Sequence, residues 1–300
     1  MSHVSSPALP LSALRGAPDA AIEPPRRRRA ADFEWDHEIQ IALPRSYHGS
    51  DRCYPVLWVT DGSYWFDLAV QTVNVFCQKY VPEMIVVAVG VPTEEHNEYQ
   101  MRRSYEFTPN PISGFKGFGS ALFQREDRNH NERKRALGLP LPRERGGAAA
   151  FLRFLTHTLR SELQRDYRMS SEHVLFGDSM GGLFATYALL SAPGSFSRYI
   201  CGSPYLYAGD SELFHLEERY AQTHEDLQAR VFFGAGEAEV AEGGLISAVG
   251  IVSSMTRMVE ILTLRGYPSL RLSMRIFSGE SHESVIPRNL IDGLRAVFTG

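Results

Sequence analysis

Short β-rich runs alternate with helical patterns from Asp32 to the end of this 300-residue chain, and this alternation constrains the fold more than any other feature. The runs at 84–91 and 173–177 are continuously apolar, as central parallel strands are, whereas the run at 37–43 alternates, as an edge strand does. The alternation predicts an α/β fold with a mostly parallel sheet. Seven strands are predicted, at 37–43, 55–61, 84–91, 173–177, 198–203, 229–235 and 269–277, and two long helices, at 146–167 and 245–265.

Composition and charge argue against several classes of partner. The net charge of −4 gives no reason to expect nucleic acid or an anionic membrane. Three widely separated cysteines form neither a disulfide framework nor a metal-ligand spacing, so no metal is expected. No continuously apolar stretch reaches the roughly 20 residues of a membrane span, and no signal segment is evident. A cytoplasmic location is therefore the default expectation.

Two segments stand apart from the alternating pattern. Residues 1–31 are rich in Pro, Ala and Ser and end in four arginines, and this composition predicts a flexible tail before a single domain at 32–300. Residues 110–145 form a long connection with aromatics near its start and many charges later. Connections of this length are usually lids or disordered insertions, so 110–145 is a candidate for either.

The sequence "GDSMGG" lies where a predicted buried strand meets a predicted helix. This context is the one that a nucleophile elbow requires, with Ser179 on a strained turn. Gly177 and Gly181 have no Cβ to block the close approach of strand and helix. The turn places the Met180 N–H at the start of a helix, where an unpaired amide is able to face an oxyanion.

A serine nucleophile needs a histidine and usually a carboxylate, each on a loop after a later strand. His282 follows the last predicted strand in a Gly/Ser loop, unlike the other nine histidines. The loop after 229–235 carries Glu237, Glu239 and Glu242. Glu239 is favoured as the acid and Glu237 is second, while a solvated or helix-capping carboxylate is the structural alternative for either.

The run "VLWVTDGSYWF" offers the second oxyanion donor, because a turn directly follows a strand there. The N–H of Gly62 or Ser63 is the candidate donor. Tyr64 and Trp65 either line a substrate pocket or pack as the start of an ordinary helix, and the sequence leaves both interpretations open.

Several segments, in order along the chain, resemble the "Putative esterase" family of α/β-hydrolases, which includes ferric-siderophore esterases and, more distantly, S-formylglutathione hydrolases and mycolyltransferases. The resemblance covers about residue 32 to the end. It rests on "YPVLWVTDG", "RRSYEFTP", "VLFGDSMGGLFATYALL", "FSRYICGSP" and "GESHESVIP".

The resemblance implies an α/β-hydrolase fold, a three-layer sandwich with helices on both faces of the sheet. It implies Ser179 as nucleophile, His282 as base and Glu239 as acid, or a Ser–His dyad alone, with Met180 and Gly62 or Ser63 at the oxyanion hole. It also brings Arg103 towards the pocket, and Glu106 stands where the family more often has Asp.

Some positions depart from the pattern of siderophore esterases. Tyr205 and its neighbours follow Ser203-Pro204 where Ser-Leu-Trp-Trp is common, and Glu283 replaces a common Gly. Both positions border the substrate pocket in the family, so these departures argue against a siderophore substrate.

Together these features predict a serine esterase that cleaves a small-molecule ester or thioester through an acyl-enzyme, without metal or organic cofactor. The alternatives are acyl transfer by the same residues and a catalytically inactive hydrolase fold used for binding. The oligomeric state is not predicted.

Overall fold

A computed structural model describes residues 20–77, 79–109, 120–139, 141 and 146–299. Within these residues a mixed nine-stranded sheet runs in the order β1-β3-β5-β4-β6-β7-β8-β9, with β2 also paired to β3. In this sheet order, every neighbouring pair of strands from β5 through β4 to β9 is parallel. The strands are β1 (Ala21–Ile22), β2 (Arg26–Arg28), β3 (His37–Leu43), β4 (Tyr54–Val59), β5 (Ile85–Gly90), β6 (Met169–Asp178), β7 (Arg198–Gly202), β8 (Arg230–Gly236) and β9 (Arg271–Phe277).

Helices cover both faces of this sheet. One face packs against α1 and α9 through residues such as Phe66 and Leu290, and the other packs mainly against α4, α5 and α8. The three-layer α/β prediction is confirmed. The helices are α1 (Gly62–Phe76), α2 (Tyr99–Glu106), α3 (Ser120–Ala136), α4 (Ala148–Arg153, a π-helical turn at Phe154–Leu159, then Arg160–Asp166), α5 (Met180–Ser191), α6 (Ala208–Ala221), α7 (Gly244–Val249), α8 (Ile251–Arg265) and α9 (Ile286–Thr299).

The prediction of a flexible tail through residue 31 is corrected for residues 20–31. Strands β1 and β2 pair antiparallel with β3, so β3 is not the bare edge strand that its alternation suggested. Arg26 donates to Asp166, and Arg28 donates to Glu162, both on α4. The arginines therefore have partners more than 130 residues away, which local composition does not reveal. Residues 1–19 lie outside the described part of the chain.

The helix predicted at 245–265 is divided in two by Gly250, whose left-handed backbone (φ 62°) ends α7 and begins α8. The segment Ile246–Arg265 has the length and mean hydropathy, 1.3, of a membrane span, so the expectation that no stretch reaches that length is corrected. Met255 and Met258 of α8 are fully buried over the sheet. The apolar face of α8 is therefore part of the core of this domain.

The candidate lid at 110–145 is described only in part. Residues 120–136 form α3, which lies against α7, and Leu122 packs on the core. Residues 110–119, 140 and 142–145 lie outside the described residues, so a lid stays a prediction.

Candidate active site

Ser179 occupies a sharp turn between β6 and α5, in a backbone conformation (φ 58°, ψ −115°) that a non-glycine residue adopts only at a cost. Its N–H donates to the Gly202 carbonyl at 2.9 Å, and its carbonyl accepts from the Leu183 N–H at 3.0 Å. These bonds fix the turn between β7 and the first turn of α5. The serine side chain is consequently held at the carboxyl edge of the sheet.

Two glycines allow the strand and helix to approach closely enough to make this turn. A Cβ on Gly177 would lie 2.1 Å from the Gly181 carbonyl oxygen, and a Cβ on Gly181 would lie 2.5 Å from Thr60 Oγ1. No side chain fits either position without moving backbone or a buried threonine. The Gly-x-Ser-x-Gly spacing is thus required by contact geometry here.

Three predicted residues meet beside this turn. His282, on the loop between β9 and α9, has Nε2 3.1 Å from Ser179 Oγ and Nδ1 2.8 Å from Glu239 Oε1. Glu239 lies on a 3₁₀ turn directly after β8, and its side chain is fully buried. A neutral imidazole that donates Nδ1–H to the carboxylate leaves Nε2 free to accept the serine proton.

The other two glutamates of the same loop hold the histidine loop by its backbone and a hydroxyl. Glu237 accepts from Ser278 Oγ at 2.5 Å and from the Gly279 N–H at 3.0 Å. Glu242 accepts from the His282 N–H at 2.9 Å. The sequence pattern suggested only catalytic, solvated or helix-capping roles for these residues, because their partners lie about 40 residues away, after the next strand.

A second carboxylate, Asp178, lies behind the turn. Burial raises its pKa to about 6, although the charge of His282 and a 2.9 Å hydrogen bond from Asn289 oppose the rise. Burial alone lowers the pKa of His282, but the hydrogen bond to Glu239 and the charge of Asp178 outweigh it, so this pKa is raised above 6.5. The two carboxylates therefore stabilise the imidazolium relative to its stability in water.

The candidate oxyanion donors come together because β4 and β6 are neighbours, so α1 and α5 begin side by side. Within the described residues, no hydrogen bond uses the N–H of Met180, Gly62 or Ser63. The Ser63 hydroxyl is engaged by Val91, whose carbonyl accepts from it at 2.8 Å. The unpaired amides at two helix starts match the requirement for oxyanion donors.

Comparison with known proteins identifies the family. The sequence matches the family described as "Putative esterase" over residues 30–117 and 122–244, more than half of the chain. The chain belongs to this family. It is a carboxylic ester hydrolase.

Relatives of known name share this class of activity. The esterase is 27% identical to ferri-bacillibactin esterase BesA of Bacillus subtilis over 239 residues, 78% of this chain and 75% of that protein. It is 27% identical to the siderophore enterobactin esterase of Emericella nidulans over 194 residues, 61% of this chain and 58% of that protein.

Solved structures show the same fold. The BES protein from Bacillus cereus matches with a TM-score of 0.72 and 25% identity, covering 93% of this chain and 96% of that one. The siderophore hydrolase EstA from Aspergillus nidulans matches with a TM-score of 0.73 and 21% identity, covering 98% and 97%.

Arg103 lies beside Asp61, the residue before the candidate donor Gly62, and its contact with a substrate stays a prediction. Nε and Nη2 donate to the two oxygens of Asp61 at 3.0 Å each, and the guanidinium lies over the rings of Tyr99 and Phe107. Asp61 directly precedes the donor candidate Gly62 and has a left-handed backbone (φ 53°). The buried pair therefore fixes the turn that carries the donors.

Glu106, the last residue of α2, faces a different part of the core. It is buried and accepts from Trp35 Nε1 at 2.6 Å, and it also contacts His37 Nε2 at 2.8 Å. The exchange of Asp for Glu at this position is thus accommodated by a buried polar cluster.

The three aromatic pocket candidates fall in different environments. Tyr64 is 45% exposed and packs on Tyr99, next to Arg103. Trp65 packs against the core between α1 and the sheet, which favours the core-packing interpretation. Tyr205 is buried in the main core, and its N–H donates to the Ser179 carbonyl at 3.4 Å. Substrate contact stays a prediction for all three residues, with Tyr205 buried in the core and Trp65 half-buried against it.

We expect Gly177→Ala to destabilise the protein by about 3 kcal/mol, the upper end of the usual cost of overpacking, because its Cβ meets backbone. Gly49→Ala is the matched control, since nothing lies within 4 Å of a Cβ there. Chemical denaturation measures both. Equal stability of the two variants would show that the turn is looser than described.

The raised pKa of His282 is measurable by NMR titration of its imidazole, with a midpoint above 6.5. Glu239→Gln removes the hydrogen-bonded charge that favours the imidazolium, so the midpoint should fall. Glu237→Gln is the control, because this carboxylate binds Ser278 and Gly279 rather than the imidazole. An unchanged midpoint in Glu239→Gln would contradict the assigned cause.

Proposed function

We propose that this esterase hydrolyses its substrate through an acyl-enzyme on Ser179, with His282 as general base and Glu239 as the acid that orients it. The observation that carries the proposal is the line of contacts from Ser179 Oγ to His282 Nε2, at 3.1 Å, and from Nδ1 to Glu239, at 2.8 Å. Each distance is within hydrogen-bonding reach, as a nucleophile, base and orienting acid require.

The proposed reaction has two half-steps. His282 Nε2 takes the Ser179 proton while Oγ attacks the ester carbonyl, and the protonated imidazole then donates this proton to the leaving alcohol. A water molecule next gives a proton to His282 and attacks the acyl carbonyl. The bond between the acyl carbon and Ser179 Oγ then breaks, and His282 returns the proton to Oγ as the acid is released. The N–H of Met180 and that of Gly62 or Ser63 stabilise the oxyanion in both half-steps.

The buried carboxylates fit this cycle. Glu239 and Asp178 favour a protonated imidazole, and this is the state that forms as the serine loses its proton. The same preference has a cost at low pH, because the free enzyme must present a neutral imidazole. We therefore infer that kcat/KM falls as pH drops through the raised pKa of His282.

The substrate that we propose is a small-molecule ester. The relatives from Bacillus subtilis and Emericella nidulans are a ferri-bacillibactin esterase and a siderophore enterobactin esterase, which makes siderophore esters the first class to test. The departures at Tyr205 and Glu283 make other small-molecule esters the second class. Tyr64 is 45% exposed, and Arg103 is mostly buried against Asp61, next to the candidate donor Gly62. These are the side chains that we expect to meet the substrate.

With a p-nitrophenyl acyl ester, we expect Ser179→Ala and His282→Ala each to lower kcat by about 10⁴-fold or more, as in other Ser–His–acid enzymes. Glu239→Gln should lower kcat by about 10²- to 10⁴-fold. Glu237→Gln should cost less than Glu239→Gln, because its carboxylate only holds the turn at Ser278 and Gly279.

Near wild-type turnover by Ser179→Ala would overturn the nucleophile assignment. A larger fall for Glu237→Gln than for Glu239→Gln would move the acid to Glu237, and small falls for both would indicate a Ser–His dyad. Circular dichroism and melting curves of each variant separate a catalytic loss from a folding defect.

A further inference from the structure

A cavity of about 330 Å³ lies beside Glu239, the candidate triad acid. Glu239 and Val240, both on the 3₁₀ turn after β8, line it, as does Tyr207, on the segment after β7. Leu122 of α3 lines it too. Segments that follow parallel strands meet at the carboxyl edge of the sheet, where Ser179 also lies. The cavity is therefore on the same edge of the sheet as the active site.

Two short connections link this cavity to the serine. Glu239 is separated from Ser179 Oγ by the His282 ring and two hydrogen bonds, of 2.8 and 3.1 Å. Tyr207 comes two residues after Tyr205, whose N–H donates to the Ser179 carbonyl. Ser179 and His282 are not among the described residues that line the cavity. A group bound there consequently lies next to the active site but away from the reacting carbonyl.

The described lining is mostly apolar, and its serine hydroxyls are already engaged. The Ser247 hydroxyl accepts from the Gly243 N–H at 2.8 Å, and the Ser253 hydroxyl donates to the Gly250 carbonyl at 3.1 Å. Glu239 is the charged residue in this lining, but its side chain has no solvent exposure and is hydrogen-bonded to the candidate base. The lining therefore favours an uncharged, apolar group. Its apolar side chains are those of Leu122, Val240, Ala248, Ile251 and Val252.

The break between α7 and α8 shapes the cavity. Gly250 has a left-handed backbone, and Ala248 and Ile251, on either side of it, both line the cavity. A Cβ on Gly250 would lie 3.2 Å from the Tyr207 ring, so the ring packs directly on the glycine backbone. One left-handed residue thus brings two helix ends and an aromatic ring around the same space.

Val240 is an apolar side chain left largely uncovered at this site. It is 65% exposed, although it directly follows the buried Glu239. Covering apolar surface of this kind is favourable in water, and each methylene group that becomes buried strengthens binding by about fourfold. An apolar ligand in the cavity therefore gains from Val240 as well as from the enclosed lining.

We propose that this cavity binds an apolar group of the substrate, an alkyl chain or an aromatic ring carried by the acyl or the alcohol half of the ester. The inference rests on the proposed function and adds a substrate class to it. The cavity volume is in the range of small-molecule sites, which are lined mainly by apolar side chains. The cavity selects its ligand by shape and by the absence of a free charge among its described lining residues.

Hydrolysis of three alkyl esters by the wild-type enzyme tests this site, with acid release followed in a pH-stat. Ethyl acetate is the reference. Hexyl acetate and ethyl hexanoate are isomers that lengthen the alcohol half and the acyl half, respectively. We expect kcat/KM for one isomer to exceed that for ethyl acetate by about tenfold or more, because its added methylenes enter the cavity. The isomer that gains identifies the half of the ester that the cavity binds.

Val252→Phe places a larger side chain in the cavity and should reduce this advantage to less than about twofold, with kcat/KM for ethyl acetate within about twofold of the wild type. Val259→Phe is the matched control, because it makes the same exchange at a half-buried position of the same helix outside the described lining. It should keep the full advantage. Val240→Ser, at an exposed position where substitution costs little stability, should lower the advantage by about threefold or more.

Equal kcat/KM values for the three esters, or no turnover of either longer ester, would overturn the proposal. An equal loss in the Val259→Phe control, or a full advantage in both Val252→Phe and Val240→Ser, would overturn it as well. Failure of the triad is seen separately, as hydrolysis of ethyl acetate by Ser179→Ala, whereas the cavity is judged from the ratio between esters.

Discussion

The backbone of Ser179 is the constraint on which the functional part of this fold depends. A serine at φ 58° and ψ −115° costs of order 1–3 kcal/mol, and it persists only where the surroundings determine it. Here the surroundings are the Gly202 carbonyl, the Leu183 N–H and the contact between Gly177 and Gly181. The parallel sheet and the helix α5 thus act as the frame that keeps one hydroxyl exposed at the sheet edge.

The base and the acid reach this hydroxyl because β8 and β9 end together. Gly236 and Phe277 are in register at the ends of these strands, so the loops that follow them start side by side. The three glutamates of the first loop then hold the second, through the imidazole, a hydroxyl and backbone amides. The placement of His282 is consequently distributed over several hydrogen bonds, and among the three glutamates Glu239 is the one that accepts from the imidazole.

The sequence was sufficient for those parts of the structure that follow from local pattern. The central strands are visible in the sequence as apolar runs, and Ser179, Glu239 and His282 each lie in the turn or loop that follows a predicted strand, which is why their proximity could be predicted. Two predictions were wrong, the flexible tail at residues 20–31 and the single helix at 245–265. Strands β1 and β2 are stabilised by acids on α4, and the break at Gly250 is set by one left-handed residue within a continuous apolar pattern.

The environments of the aromatic residues also depend on contacts that are distant in sequence. Trp65 and Tyr205 flank the functional turns in sequence, but whether a side chain faces a pocket or the core is decided by packing of the layers.

Mass spectrometry of the enzyme quenched in acid during turnover of a slowly hydrolysed acyl ester tests the central claim most directly. The account predicts a mass increase equal to the acyl group on the peptide that contains Ser179, absent from Ser179→Ala. Turnover without an adduct in the burst phase, or an adduct on another residue that persists in Ser179→Ala, would contradict it.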